Sequence, residues 1–193
     1  LIKKKDKYMY MELVKNFTQS KLIKNLFIAL IGSILLAISS KIKIPFYPVP
    51  MTMQTFVVLF IGIAFGWKLG IATIALYLTE GIVGLPVFSG TPEKGIGLAY
   101  FFGPTFGYLM GFLITVFLAG KFYYNNNLLN NFLKLTFATS FIYILGILWL
   151  GGLIGWDKPI FKLGVQPFLL AELFKILLAT LFISHIKKIR KIF

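Results

Sequence analysis

The sequence predicts an all-α, polytopic membrane protein with six transmembrane helices, both termini cytoplasmic, and structured external loops. Three observations predict it. Of 193 residues, 58% are hydrophobic and only 13% charged, against about 45–50% and 25% in soluble domains. Long apolar runs recur along the whole chain, separated by short polar or proline-rich breaks. The lysines sit between those runs rather than on one continuous basic face. The net charge of +14 would suggest nucleic acid in a soluble protein; here positive-inside topology accounts for it. The sequence has no cysteine, which excludes disulfides, thiolate metal sites and cysteine nucleophiles.

Residues 1–24 form a basic cytoplasmic arm carrying Lys3, Lys4, Lys5, Lys7, Lys15, Lys21 and Lys24. No small-residue cleavage site follows the first apolar run, so it reads as a retained helix and not a cleaved signal peptide. The membrane domain spans 25–186. Segment one covers 25–40. Residues 41–53 hold Pro45, Pro48 and Pro50, and three prolines in six residues rule out a regular helix there. Segment two covers 54–66 and ends at a tight turn, Trp67-Lys68. Segment three covers 69–85 and stops at Gly84-Leu85-Pro86. Residues 86–97 are turn-rich. Segment four covers 98–120, interrupted at Gly103-Pro104. An Asn-rich loop follows to Lys134. Segment five covers 135–154, residues 155–165 form a loop, and segment six covers 166–186. A basic cytoplasmic tail, 187–193, closes the chain.

About 20 residues span the hydrocarbon, so six helices fit, and an even number leaves both termini on one side. Lys and Arg count 14 on that side and 5 on the other, with Lys175 inside segment six. The bias places both termini in the cytoplasm and the protein in the cell (cytoplasmic) membrane. The three external loops then carry the Pro, Gly and aromatic complexity. Irregular backbone at that depth is tolerated where it lines a cavity, so these loops read as the cover of an outward-facing pocket.

Segment six carries the chemistry. Glu172 and Lys175 stand i, i+3 on one helix face. Charges in hydrocarbon cost several kcal/mol or more and mark functional sites. Lys175 lies eight residues beyond Pro167, roughly 12 Å at 1.5 Å per residue. The pair either contacts a ligand, with Lys175 meeting a carboxylate and Glu172 accepting N–H donors, or is an internal ion pair that pins the helix. Gln54, flanked by Thr52 and Thr55, starts segment two; its amide faces a ligand or is satisfied locally beside a capping Thr52. The loop holding Ser89, Gly90 and Thr91 can approach a solute closely through its glycines, or is simply a turn. Trp149, Tyr100, Phe101, Phe102 and Tyr143 could wall an apolar cavity, or pack the core. Glu80, near the outer end of segment three, could be a proton site, a pocket wall or an interfacial carboxylate.

Ala29, Ser33 and Ala37 fall at i, i+4 and i+8 of segment one. Small residues at that spacing admit a close helix neighbour, in a partner or in this chain's own bundle. His185, the only histidine, is an interfacial residue with no companion ligands. The sequence holds no phosphate-binding glycine loop, HExxH or GxSxG motif. Any energy for transport therefore comes from another chain or an ion gradient.

Several stretches resemble one family in its own order. Residues 44–55, Ile-Pro-Phe-Tyr-Pro-Val-Pro-Met-Thr-Met-Gln-Thr, are similar to the proline-rich loop and Thr-x-Gln-Thr signature of the BioY family, the biotin-specific S components of energy-coupling factor transporters. Residues 81–90, Gly-Ile-Val-Gly-Leu-Pro-Val-Phe-Ser-Gly, resemble its second signature and 103–108, Gly-Pro-Thr-Phe-Gly-Tyr, its third. Trp149-Leu150 and the 167–175 stretch complete the set, which covers roughly 27–186. The family's Pro-Gly-Asp-x-x-Lys reads Leu170-Ala171-Glu172-x-x-Lys175 here, with a longer carboxylate.

The resemblance implies a six-helix, non-enzymatic S component. It would bind biotin with high affinity from outside and work with a transmembrane T component and ATPase subunits. It implies ligand roles for Lys175, Glu172, Gln54, Thr91, Ser89 and Trp149, and a T-component interface at Ala29, Ser33 and Ala37. No cofactor is implied, biotin being the transported ligand. Two other readings stand beside it: an S component for another vitamin, and a carrier that works without ATPase partners.

Overall fold

The computed structural model describes residues 2–190, with side chains described from Lys21 onward. Leu1 and residues 191–193, the ends of the expected arm and tail, lie outside the described residues. The chain is helical: α1 (Ile2–Lys41), α2 (Gln54–Ile82), α3 (Gly97–Phe101), α4 (Phe106–Lys121), α5 (Leu128–Ile154), α6 (Ile160–Gly164) and α7 (Leu169–Arg190). A 3-10 turn, Gln166–Phe168, leads into α7. Among the described residues, Lys21–Lys41, Gln54–Ile82, Leu128–Ile154 and Ile160–Arg190 are long and apolar enough to cross a membrane; Phe106–Lys121 is apolar but shorter.

The proline-rich segment is not helical, as expected. Its ends pair as two-residue antiparallel strands, β1 (Lys43–Ile44) and β2 (Met51–Thr52), with Lys43 opposite Thr52 and Ile44 opposite Met51. The prolines occupy the hairpin between them, where the ladder needs no N–H from them.

Several expected boundaries differ. Segments two and three are two helical arms of α2 that fold back on each other at Gly66, whose φ of 76° and ψ of 172° are non-helical; Gln54 at one end reaches Tyr77 Oη on the other arm at 2.7 Å. The positive φ suits glycine alone. The tight turn therefore falls one residue before the expected Trp67-Lys68. Segment four is two elements: the Gly103-Pro104 break is a true turn between α3 and α4. Segment five starts earlier, at Leu128, because Asn127 caps it; the Asn127 side chain accepts from the Asn130 N–H at 3.0 Å. This is the usual N-cap economy, and it leaves only 122–127 as loop. The 155–165 loop contains the short helix α6. α1 runs without a break through residue 24.

The bundle is held at small residues. A Cβ on Gly62 would lie 2.8 Å from the Ala119 Cβ, and one on Gly120 would lie 2.6 Å from the Trp67 Cα. These contacts bring α4 against both arms of α2. On its other side α4 meets α5, where a Cβ on Gly111 would lie 3.1 Å from the Ile142 N. In lipid no hydrophobic force drives helices together, so close van der Waals approach of this kind does the work. The outward faces stay apolar: Leu170, Leu173, Phe174 and Leu177 of α7 are all exposed.

The small-residue stripe of α1 turns inward. Ala29 and Ser33 are buried, Ala37 packs against the main core, and Ser33 Oγ donates to Glu80 Oε1 at 2.9 Å. These contacts match the stripe's other reading, close packing within this chain's own bundle. In this conformation α2 already covers Ala29 and Ser33, because Gly32 and Ser33 are small enough to let it approach. The open face of α1 carries Leu26, Leu30 and Ile34 instead. Glu80 faces α1, not a pocket.

Candidate functional site

One cavity lies where the first arm of α2, α4, α5 and α7 meet, beneath the 45–52 hairpin and the 86–95 loop. The space between these elements, part of it open to solvent, amounts to about 580 Å³. Leu109, Phe112, Ile142, Phe168 and Phe88 give it apolar walls. Tyr143 stacks on Phe168 at 6.3 Å between centroids, and Phe88 on Tyr100 at 5.5 Å. Planar faces on two sides suit a compact, flat ring system.

The polar end is built on α7. Glu172 and Lys175 are 4% and 7% exposed, one helical turn apart and 3.3 Å from each other. The Lys175 ammonium donates to Thr52 O at 2.7 Å, Thr55 Oγ1 at 3.0 Å and Glu172 Oε2 at 3.3 Å. An ammonium has three N–H groups, so all three are engaged inside the chain. Glu172 Oε2 accepts further from Thr55 Oγ1 at 3.0 Å and Tyr143 Oη at 2.9 Å. Glu172 Oε1 is different: it is buried with no hydrogen-bond partner. The Thr105 hydroxyl, just before α4, is buried and unpartnered too. Among the described residues these are the two such side-chain atoms, and both belong to cavity-lining residues. Buried polar groups are ordinarily paired, and an unmade bond costs about 1–3 kcal/mol. Glu172 Oε1 is thus open to one N–H donor, and the Thr105 hydroxyl to one polar contact.

The sequence-derived candidates divide. Glu172, Lys175, Gln54 and Ser89 line the cavity. Gln54 is committed on both sides. Its Nε2 donates to Tyr77 Oη at 2.7 Å, its Oε1 accepts from Thr52 Oγ1 at 3.3 Å, and Tyr77 passes the chain on to Val87 O. Gln54 therefore ties the 86–95 loop to α2 as well as lining the site. Thr91 and Trp149 stand outside that lining. Thr91 Oγ1 turns back to Phe88 O at 2.7 Å, satisfying its own turn. Trp149 Nε1 donates to Gly103 O at 2.9 Å, and the ring packs on Phe106 behind the wall.

The sequence did not single out Thr55 as a ligand to the ion pair, Tyr143 as a donor to Glu172, or Thr105. Thr55 had a signal, as the neighbour of Gln54 one turn into a helix. Tyr143 had only its aromatic ring. Thr105 follows Gly103-Pro104, a helix-start signal that says nothing of a cavity.

The fold and site define a helical membrane bundle with a partly open, aromatic-walled cavity and a buried ion pair whose carboxylate has one open oxygen. The sequence model of the BioY family matches residues 9–192. A "Probable biotin transporter BioY" of Pyrococcus horikoshii is 35% identical over 145 residues, 73% of this chain and 82% of that one. A protein of the same description from Rickettsia prowazekii is 33% identical over 164 residues, 83% and 81% of the two chains. The fold is shared with a crystal structure described as the S-component for biotin from an ECF-type ABC transporter. That likeness has a TM-score of 0.72 at 24% identity, covering 88% of this chain and 93% of the other. The chain belongs to the BioY family.

Proposed function

We propose that this chain is the biotin-capturing S component of an energy-coupling factor transporter in the cytoplasmic membrane. It binds biotin from outside with high affinity and is energised by separate T and ATPase subunits. The observation that carries the reading is the open Glu172 Oε1 inside an aromatic-walled cavity. Biotin joins a ureido group, an apolar bicyclic body and a valerate carboxylate. The ureido N–H donates to Glu172 Oε1, the aromatic faces of Phe168 and Phe88 enclose the ring body, and Thr105 and Ser89 take polar contacts. Lys175 acts by fixing the site, since its three donors go to Thr52 O, Thr55 Oγ1 and Glu172 Oε2 and tie the hairpin and the carboxylate together. Counting each arm of α2 as one crossing, together with α1, α4, α5 and α7, gives six spans with both termini cytoplasmic. The roof loops then face outward, where a solute arrives.

A thermal-shift panel of vitamins tests the ligand class. Binding to the folded state alone stabilises it by RT ln(1 + [L]/Kd), about 4 kcal/mol at a thousandfold excess over Kd. Biotin is expected to give the largest rise in Tm. A larger rise with another vitamin, or no rise with biotin, contradicts the proposal.

A further inference from the structure

The 86–95 loop is held by another part of the chain. Four of its carbonyls within five residues take donors from the end of α1 and from β1. Ser40 Oγ reaches Val87 O at 2.7 Å. Lys41 Nζ donates to both Phe88 O and Thr91 O at 2.8 Å. Lys43 Nζ donates to Ser89 O at 2.6 Å. A cation in the last turn of a helix ordinarily serves that helix's own terminal carbonyls. Lys41 reaches 47 to 50 residues along the chain instead.

The grip falls on the cavity roof. Phe88 and Ser89 line the cavity. Phe88 is 1% exposed, set edge-on to Tyr77 and stacked on Tyr100 and Phe101. The other roof element is fastened at the same place. Lys43 stands opposite Thr52 in the hairpin, and the Thr52 carbonyl receives Lys175. The strand that holds the 86–95 loop is thus paired with the strand that holds the buried ion pair.

We infer that Lys41 and Lys43 are positioning residues that set how long the cavity keeps its ligand, by clamping the carbonyls of residues 88–91 so that Phe88 and Ser89 close over it. The inference rests on the biotin reading for its ligand, while the clamp itself is a property of the chain alone. Hydrogen bonds with an ionised donor are roughly twice as strong as neutral ones. An ammonium here outcompetes water for carbonyls that an exposed loop would otherwise present to solvent. Neither lysine touches the ligand, so its loss acts on escape more than on capture.

The test uses the full chain in detergent or nanodiscs, with Lys41→Met and Lys43→Met alone and together, and the matching Arg variants. Biotin dissociation is expected to quicken by about tenfold or more in the double Met variant, equivalent to ~1.4 kcal/mol. Association is expected to change less than about twofold, since affinity differences among related complexes reside mostly in the off-rate. The Arg variants are expected to restore slow release, which a purely steric role would not. Unchanged dissociation in the Met variants, equal changes in both rates, or Arg variants as fast as Met overturn the inference. Should the double variant not fold, the single Lys43→Met change, on an exposed strand residue, carries the same expectation. Hydrogen exchange of the Gly90 and Thr91 amides in ligand-free protein reads the clamp without biotin. Faster exchange in the Met variants, reversed in the Arg variants, supports it, and unaltered exchange overturns it. If wild-type protein holds no biotin, the ligand reading fails while the exchange result still decides the clamp.

Discussion

Lys175→Ala is expected to weaken biotin binding by about a hundredfold or more, equivalent to ~2.7 kcal/mol. The reason lies on Glu172 more than on the lysine. With Lys175 gone, a carboxylate that is 4% exposed keeps only the Thr55 and Tyr143 hydroxyls as partners. Breaking one side of a buried pair costs about 3–5 kcal/mol, because the remaining charge has neither water nor counter-ion. Glu172 then loses the contact that holds it in place, and the oxygen that receives the ligand N–H is no longer presented to the cavity. A Glu172→Gln, Lys175→Met double variant separates folding from function. Removing both charges together relieves the desolvation penalty, so its ligand-free Tm is expected to recover toward wild type while its biotin affinity does not. Isothermal titration and thermal unfolding of the three proteins decide this. A Lys175→Ala protein that binds biotin as tightly as wild type removes the role given to the pair.

Gly111→Leu is expected to be the most disruptive change in the bundle, with a loss of about 3 kcal/mol and a Tm lower by about 6–12 °C. A Cβ there would already lie 3.1 Å from the Ile142 N and the Phe141 O. Backbone cannot swing aside as a side chain can, so α4 and α5 would have to separate. Leu109 and Phe112 beside it, and Ile142 and Tyr143 opposite, line the cavity, so ligand binding is expected to fall with stability. Gly152→Ala is the control. No atom lies within 4 Å of a Cβ at that position, and Ala is favoured over Gly in a helix by roughly 1 kcal/mol. Its Tm is expected to stay level or rise.

The helical membrane architecture was legible because lipid enforces it. Apolar runs and proline or glycine stops mark elements wherever the backbone must satisfy itself internally. Boundaries were unevenly legible. The tight turn between the arms of α2 falls at Gly66, within a residue of where the sequence puts it, whereas Asn127 extends α5 into a stretch that reads as polar linker. Within the site, Glu172 and Lys175 stood out because a charge in hydrocarbon is conspicuous. Which atom stays open did not. That depends on Thr52 and Thr55, about 120 residues away, and on Tyr143. The motif made the lysine the more secure ligand residue, whereas the geometry commits its three donors to Thr52, Thr55 and Glu172 and leaves Glu172 Oε1 free. Trp149 belongs to a recognisable stretch and Thr91 directly follows one, yet their polar atoms bond to Gly103 O and Phe88 O. The stripe of Ala29 and Ser33 permits close helix approach, and spacing alone does not say which helix approaches.

The account stands on Glu172 receiving a ureido N–H in the cavity. The measurement that tests it most directly is the identity of the small molecule released when the full chain is denatured after purification from cells grown with biotin. Wild-type protein is expected to release biotin at about one per chain, and Glu172→Leu protein, purified alongside it in folded form, very little. Release of a different molecule from wild type, or equal biotin from the Glu172→Leu protein, would contradict the account.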